Sequence, residues 1–310
     1  FRLYFIGQGV SLVGTFMQQM AAQWLVWQLS HDAAMQGVST ALFALPMLIL
    51  VPVTSALADG TDRRRILIIT QTVDMCLAFV LAVFVLAGLQ VLWPVLVVMT
   101  LLGVSAAFTV PAQSAFIGDL SGIKEVRSAY TLYGMVIETA RLIGPALAGW
   151  AVSRFGLELA FGLNGLSFVA VIISLLIIRA QASPRMTTRA NPLVDFARSL
   201  RFMAGQPRLV DLMICRLAIM LFIFSSLTLF APLADQVLGG DAALMGNLLS
   251  ASGAGALIGA IFVGPQLQHL SRPGLGLTLT LVWSGVFLAL TSLANSAFTG
   301  SIFASQAVRS

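Results

Sequence analysis

Two ionisable side chains stand inside an apolar stretch of the sequence, where an unpaired charge is costly. Glu138 and Arg141 are three positions apart in the apolar run Ser128–Val152, so a helix places them about one turn apart on one face. Such a pair can line a cavity that takes a polar or anionic substrate, or its carboxylate can cycle a proton. A neighbouring cation favours the ionised carboxylate, so Glu138 takes up a proton only if a substrate competes for Arg141. The alternative is a self-neutralising pair that merely tolerates burial.

A second acid, Asp74, occurs in the apolar run Ile66–Leu89, and Gln71 and Ala78 share its helical face. A carboxylate at membrane depth is a candidate for proton coupling. The alternative is a polar group near the cytoplasmic mouth of a cavity, and the residue pattern leaves both interpretations open.

Polar side chains also follow one face of the first apolar run. At 100° per residue, six of them fall within an arc of about 140°: Gln8, Ser11, Thr15, Gln18, Gln19 and Gln23. We predict that this face lines a central substrate cavity through Gln8, Thr15, Gln19 and Gln23. Gln113 and Asn164, in later runs, are weaker cavity candidates. The alternative is that these amides hold helices together by hydrogen bonds.

The composition shows what kind of scaffold must position these groups. Of 310 residues, 58% are hydrophobic and 9% are charged, whereas soluble domains have roughly 45–50% and about 25%. Most of the exterior must therefore face lipid. The apolar runs are too long for the strands of a membrane barrel, which have about 10 residues each. We predict an all-α membrane protein.

Hydropathy predicts nine transmembrane helices and the start of a tenth near Ala297. The nine spans are Phe5–Leu29, Val38–Ala58, Ile66–Leu89, Trp93–Gly118, Ser128–Val152, Leu159–Ile178, Leu209–Pro232, Ala242–Pro265 and Gly274–Ala294. The polar stretch from Arg179 to Arg208 separates the sixth span from the seventh. Within it, Pro192 opens a pattern that is typical of a short amphipathic helix at a membrane interface.

The charges indicate how the helices are oriented. The chain has 17 basic and 12 acidic residues, a net charge of +5, and the basic residues collect in alternate loops. Residues 63–65 are all arginine, and six more arginines lie between 179 and 208. This excess of positive charge places both segments in the cytoplasm. Because the clusters lie in short loops between spans, we expect no nucleic-acid partner.

An internal repeat indicates the domain plan. Spans one to three recur as spans seven to nine, and the loop at 55–63 recurs, decayed, at 264–272. Two six-helix halves joined by a long linker are the plan of a parallel-repeat secondary transporter. We therefore predict a six-helix bundle over 1–178, a cytoplasmic linker over 179–208 and an incomplete second bundle over 209–310, since the predicted spans fall short of twelve.

Motifs of other function classes are missing from the sequence. No Gly-x-x-x-x-Gly-Lys loop occurs, so ATP hydrolysis is excluded and ion coupling is the expected drive. The two histidines, His31 and His269, both lie in predicted loops, and neither His-Glu-x-x-His nor Gly-x-Ser-x-Gly occurs. We expect no enzyme activity, no metal and no cofactor.

Four segments resemble the major facilitator superfamily. The loop Leu57–Arg65 resembles its cytoplasmic loop signature, and Gly144–Gly149 resembles its fifth-helix antiporter motif. Phe1–Gln8 and Pro111–Ala115 are similar to its bacterial enterobactin-exporter-like and drug-efflux branch. The resemblance implies a fold of two six-helix halves.

The resemblance also implies roles for particular residues. In the family, the loop signature forms a charge-linked latch that steadies one facing state, and the matching residues here are Asp59, Asp62 and Arg63. The fifth-helix motif implies a hinge at Gly144, Pro145 and Gly149. A proline inside a helix removes a backbone hydrogen bond, which favours a bend at that point.

The function that the resemblance implies is proton-coupled export of a small molecule by alternating access. The substrate class would be siderophore or drug-like, and the protein would act as a monomer in the bacterial inner membrane, with protons and lipid as its other partners. Two alternatives remain: an importer of a small polar solute on the same fold, and a non-transporting membrane sensor or scaffold.

Overall fold

The computed structural model describes residues 2–89, 91–178, 192–207, 209–214, 217, 228–259 and 261. This part of the chain contains no strand. Residues 209–214 are helical, and eight other helices have both ends described. They are α1 (Arg2–Ser30), α2 (Ala33–Gly60), α3 (Arg63–Leu86), α4 (Leu92–Gly122), α5 (Glu125–Phe155), α6 (Leu157–Ile177), α7 (Pro192–Ala204) and α8 (Ala242–Ile258). A single helical turn, Phe230–Pro232, and a π-helical turn, Leu233–Val237, precede α8.

The first six predicted spans are confirmed as α1–α6, with each end displaced by a few residues. A helix begins at Pro192 and another at Ala242, as predicted, and the position of the first at a membrane interface stays a prediction. The seventh span is described only in part, and the ninth and tenth lie outside the described residues.

The connection between α4 and α5 is shorter than hydropathy predicts. Helical hydrogen bonding continues from Leu92 to Phe155, and Gly122 alone interrupts the helical backbone with φ 70° and ψ 167°. A positive φ favours glycine. Both helices extend beyond their apolar spans into polar residues. Hydropathy detects only the part of a helix that lies in the hydrocarbon, so it does not locate the ends of the helix.

Five of the described helices are long and apolar enough to cross a membrane: Ala33–Ser55 within α2, Arg63–Leu86, Leu92–Gly122, Glu125–Phe155 and Leu157–Ile177. At 29 residues, α1 also has sufficient length. Five glutamines interrupt its apolar sequence. Four of these five glutamines belong to the polar stripe that we predicted on the first span.

Aspartates begin three of the helices. Asp32, Asp62 and Asp241 each accept hydrogen bonds from backbone N–H groups of the first turn of α2, α3 and α8. These N–H groups have no partner inside the helix, so a side-chain acceptor stabilises its start.

The apolar core consists of two clusters at opposite ends of the bundle. One surrounds Trp24 and Trp27 of α1 and includes Ala234 and Met245 from beyond the linker. The other surrounds Tyr4 and lies near the loop between α2 and α3. Helix α1 packs on α4, α5 and α6, α3 packs on α4 and α6, and α2 packs on α4. Helix α8 lies antiparallel against α5. We refer to α1–α6 as the first half and to residues from 209 onward as the second half.

Candidate functional site

Glu138 and Arg141 form an ion pair on α5, with 3.3 Å between Arg141 Nη1 and Glu138 Oε2. The side chain of Arg141 is 46% exposed and that of Glu138 is 23% exposed. The guanidinium carbon lies 5.6 Å from the ring centroid of Phe16 on α1, which is a cation–π distance. Because a guanidinium has five N–H donors, Arg141 retains donors for an anion while it is paired with Glu138.

Small residues bring α5 and α8 into close contact beside this pair. This α5–α8 seam consists of Pro145, Gly149, Ala242, Gly246 and Gly253. A Cβ atom at Gly149 would lie 2.8 Å from the carbonyl oxygen of Ala242, and one at Gly253 would lie 2.8 Å from that of Arg141. Pro145 has no N–H to donate to the Arg141 carbonyl one turn earlier. The freed carbonyl therefore lies against α8, where only a glycine leaves room for it.

Gly144 belongs to a different contact. A Cβ atom there would lie 2.7 Å from Cβ of Phe16 and 2.8 Å from the carbonyl oxygen of Val13, both on α1. The three residues of the predicted hinge thus serve two interfaces, Gly144 against α1 and Pro145 with Gly149 against α8. Their action as a hinge stays a prediction.

Several amides of the predicted cavity lie in contacts between helices. Asn164 Nδ2 on α6 donates a 2.6 Å hydrogen bond to Gln18 Oε1 on α1, and both residues are buried. Gln113 Nε2 on α4 donates to the Tyr4 hydroxyl at 3.2 Å. These bonds favour the alternative weighed for the amides, in which they hold helices together.

The other cavity candidates on α1 differ in exposure. Gln8 is buried and Gln19 is exposed. Thr15 donates to the backbone carbonyl of Ser11 at 2.9 Å, and the carbonyl oxygen of Gln23 accepts from Gln36 Nε2 at 2.8 Å. Of the four residues predicted from the stripe, Gln19 therefore offers the most accessible amide. Substrate contact at these positions stays a prediction.

The loop between α2 and α3 is anchored by its arginines. Arg63 Nη1 lies 2.7 Å from both carboxylate oxygens of Asp119, near the end of α4, and its side chain also donates to the carbonyl oxygens of Ala58 and Ala115. Asp62 caps α3. The side chain of Asp59 lies outside the described part of the structure. The latch role of Asp59, Asp62 and Arg63 stays a prediction, and Asp119 is a partner that the sequence analysis missed.

Arg64 binds a different helix. Its Nε donates to the carbonyl oxygen of Leu175, and its Nη2 donates to that of Leu176 at 2.8 Å. These carbonyls lie in the last turn of α6, where helix carbonyls have no partner of their own and where a cation is favoured. Two successive arginines thus join the ends of α4 and α6 to the start of α3.

The opposite end of the bundle has a contact between the halves. Trp27 Nε1 on α1 donates a 2.9 Å hydrogen bond to Asp235 Oδ2 in the π-helical turn. Trp27 is 2% exposed, and the apolar cluster around it contains Met20, Ala234 and Met245. The sequence analysis missed this contact, because Trp27 lies outside the polar stripe of its helix.

Asp74 lies where α3 contacts α4. Its Oδ1 is buried and has no hydrogen-bond partner among the described residues, as is also true of Gln71 Oε1. Ser105 of α4 lies within hydrogen-bonding reach of the Asp74 carboxylate. Asp74 and the Glu138–Arg141 pair are therefore separate sites on different helices.

Of the surface grooves in the described chain, one of about 460 Å³ lies between α1 and α5. Its lining is apolar apart from Thr139 and does not include Glu138 or Arg141. The ion pair, rather than this groove, carries the chemistry that a polar substrate needs. No group of three His, Cys, Asp or Glu side chains in the described residues is placed to hold a metal ion.

Comparison with known proteins identifies the family. The sequence model of a family described as a transmembrane secretion effector of the major facilitator type matches residues 1–305. The staphyloferrin A transporter of Staphylococcus aureus is 25% identical over 87% of this chain and 68% of its own length. The enterobactin exporter EntS of Shigella flexneri is 25% identical over 94% of this chain and 68% of its own length. An uncharacterized MFS-type transporter, YfiS of Bacillus subtilis, is 24% identical over 83% and 62%.

These matches confirm the resemblance to the major facilitator superfamily and to its siderophore-transporter branch, and they agree with a fold built from apolar helices. The relatives are transporters and not enzymes. The chain belongs to the transmembrane secretion effector family of the major facilitator superfamily and is a multi-pass membrane transporter.

Proposed function

We propose that the protein exports a small molecule of siderophore or drug-like type across the bacterial inner membrane, by alternating access and with protons as the drive. One relative is named an enterobactin exporter and another a staphyloferrin A transporter, which supports a siderophore-like substrate and, for the first, the outward direction. The protein works as a monomer in this proposal.

The observation that carries the proposal is the Glu138–Arg141 pair at the α5–α8 seam. The backbone carbonyl of Arg141 lies against Gly253 of α8, and the Arg141 side chain, 46% exposed, lies over Phe16 of α1. In this proposal a substrate held by Arg141 reaches α8 as well as α5, so its binding favours one arrangement of the halves over the other. A guanidinium binds carboxylates and other anions through paired N–H groups, which suits a polar or anionic molecule.

The two ends of the bundle indicate how alternating access would proceed in this proposal. In the proposed orientation, the arginine-rich loop and the 179–208 linker are cytoplasmic, as positive charge favours. The Trp27–Asp235 contact then closes the outer end between the halves. Export requires this contact to open. The α5–α8 seam and the predicted hinge residues Gly144, Pro145 and Gly149 then accommodate the change in the angle between the two halves.

Two carboxylates are candidates for the proton drive. Glu138 is paired with Arg141, so a substrate that competes for the guanidinium would leave the carboxylate free to take up a proton. Asp74 has no cationic partner among the residues that the structure describes. The proposed cycle uses at least one of them, and the latch residues Asp59, Asp62 and Arg63 steady one facing state.

The test is transport by the protein in proteoliposomes with an imposed pH gradient, using catecholate siderophores, lipophilic cations and macrolides as substrates. Arg141→Gln is expected to lower accumulation of an anionic substrate by roughly tenfold or more, since a charge-assisted bond is lost. Arg154→Gln, on the exposed end of the same helix, is the matched control and should transport normally.

Four outcomes separate the alternatives. Gradient-dependent accumulation that Glu138→Gln abolishes assigns coupling to Glu138, and accumulation that Asp74→Asn abolishes assigns it to Asp74. Accumulation only in the opposite direction contradicts export and supports import of a polar solute. If the wild type moves no substrate, the transport proposal fails for these classes of molecule and a sensor or scaffold role gains support.

A further inference from the structure

Two buried side-chain oxygens on α3, Asp74 Oδ1 and Gln71 Oε1, have no hydrogen-bond partner among the described residues. Gln71 is 4% exposed. The two residues stand three positions apart, so their side chains are neighbours on one face of the helix. The hydroxyl of Ser105, on the facing helix α4, already donates a 3.5 Å bond to the Thr70 carbonyl. Both orphaned atoms are acceptors, and buried acceptors ordinarily have a donor.

The described helices that contact α3, namely α2, α4 and α6, present no cation to an ionised Asp74. Helix α4 carries no charged residue before Asp119, α6 carries none after Glu158, and α2 carries none before Asp59. On α3 the nearest arginine, Arg65, is nine positions away, which is about 13 Å along the helix axis. An ionised carboxylate without a counter-charge is costly in the interior of a membrane bundle. The group is therefore expected to be neutral or to hold a cation.

Two neighbouring acceptor oxygens repel each other unless a proton or a cation lies between them. We propose that Asp74 and Gln71 form a proton-binding site, in which Asp74 is the neutral carboxylic acid and donates its hydrogen to Gln71 Oε1. Proton binding forms one O–H bond on Asp74 and breaks none in the protein. Release returns the proton to water and leaves a carboxylate, to which the Ser105 hydroxyl can donate.

Within this site Gln71 is a positioning residue that holds the bound proton in one geometry. The inference deepens the proposed proton coupling and rests on the proposed function only for its part in transport. A sodium ion suits the site less well than a proton. The described side chains offer it one carboxylate, one amide oxygen and a hydroxyl that is already bonded, and a hard metal ion prefers a fuller shell of oxygens.

Infrared spectroscopy tests the protonation state directly, because the C=O stretch of a carboxylic acid is separate from the stretches of a carboxylate. Difference spectra between the wild-type protein and Asp74→Asn, both in proteoliposomes at neutral pH, are expected to show an acid band that the variant lacks. Glu138→Gln should leave this band in place, since Glu138 is paired with Arg141. If Asp74 contributes only carboxylate bands at neutral pH, the proposal is overturned.

Gln71→Leu tests the acceptor. The acid then loses its hydrogen-bond partner, so its C=O band is expected to move to higher frequency. Thr72→Val is the matched control, because the Thr72 hydroxyl bonds the Ile68 carbonyl of its own helix at 2.7 Å and not the site. A band that stays in place in Gln71→Leu shows that Gln71 is not the acceptor. Loss of the band on addition of sodium at constant pH shows that a metal cation occupies the site. Either result overturns the proposal.

Transport assays of the same variants separate this inference from the proposed function. If the acid band is present but no pH gradient drives transport, the proton site stands and the proposed drive fails. If a gradient drives transport and the acid band is absent, the proposed function stands and the Asp74–Gln71 site fails.

Discussion

The two ends of the bundle are held by different kinds of contact. At the loop between α2 and α3, Arg63 and Arg64 donate charge-assisted hydrogen bonds to the ends of α4 and α6. At the other end, the indole of Trp27 bonds Asp235 and its neighbours are apolar. The first set of bonds joins helices of one half, whereas the second joins the two halves.

This difference indicates where the molecule would open in the proposed cycle. Charge-assisted bonds to helix ends fix the helices of the first half relative to each other. Such a bond contributes about 1.5–3 kcal/mol where it is buried and less where it is exposed to solvent, as at Arg64. The described contact between the halves combines the Trp27–Asp235 hydrogen bond with a surface of small and apolar side chains, which can separate without leaving charges of both signs buried. Rigid halves and a separable contact are what alternating access requires.

The largest effect on stability is expected from Asp119→Ala. The Arg63 and Asp119 side chains are 23% and 13% exposed, and Arg63 would lose the carboxylate that binds it at 2.7 Å. Breaking a fully buried pair costs about 3–5 kcal/mol, so about 2–3 kcal/mol is expected for this partly exposed one. Thermal unfolding of the protein in detergent measures the loss.

A double-mutant cycle with Arg63→Ala isolates the pair. The double variant should be less destabilised than the sum of the two single variants, because it leaves no uncompensated charge. Additive losses would mean that the two side chains contribute independently. The rigidity of the bundle at the loop between α2 and α3 would then need another explanation.

Trp27→Phe is expected to change conformation more than stability. The variant keeps the aromatic ring in its cluster and removes only the N–H that donates to Asp235. Losing one bond to a charged acceptor shifts the balance toward an open outer end by about tenfold. Spin labels at the exposed positions Gln28 and Gln236 measure the separation of the halves by double electron–electron resonance.

Trp150→Phe is the control for this experiment, since Trp150 is 54% exposed on α5. It should give the wild-type distance distribution. An unchanged distribution in Trp27→Phe as well would show that the indole bond does not hold the halves together.

The contacts that the sequence predicted depend on residues close together in the chain. Hydropathy predicted α1–α6, and the three-residue spacing predicted the Glu138–Arg141 pair. The partners of Arg63, Arg64 and Trp27 are 56, 111 and 208 positions away respectively. No local pattern identifies such partners, because the packing of helices decides them.

The amides show a second limit. The periodicity of α1 correctly indicated that Gln18 faces protein and not lipid, but it could not distinguish a neighbouring helix from a cavity. Asn164 bonds Gln18 directly, so burying one amide is compensated by another amide and requires no ligand. The unpartnered oxygen of Gln71 could not be predicted from the sequence either. Whether this oxygen has a partner depends on which donors the facing helix α4 places beside it.

The smallest of these effects is expected from Arg64→Gln. The guanidinium donates to two carbonyls in the last turn of α6, and its loss removes both bonds and a favourable charge at the negative end of the helix dipole. About 1 kcal/mol of local stability is expected to be lost. Hydrogen exchange should show this loss as faster exchange at the end of α6 with little change elsewhere.

Arg65→Gln is the matched control, because the Arg65 side chain is 81% exposed and pairs only with Asp62 at 3.4 Å among the described residues. An exposed pair of this kind contributes about 0–1 kcal/mol, so equal exchange rates in the two variants would mean that Arg64 does not cap α6. A clear difference would place the rigidity of this end in particular bonds to helix ends and not in its positive charge alone.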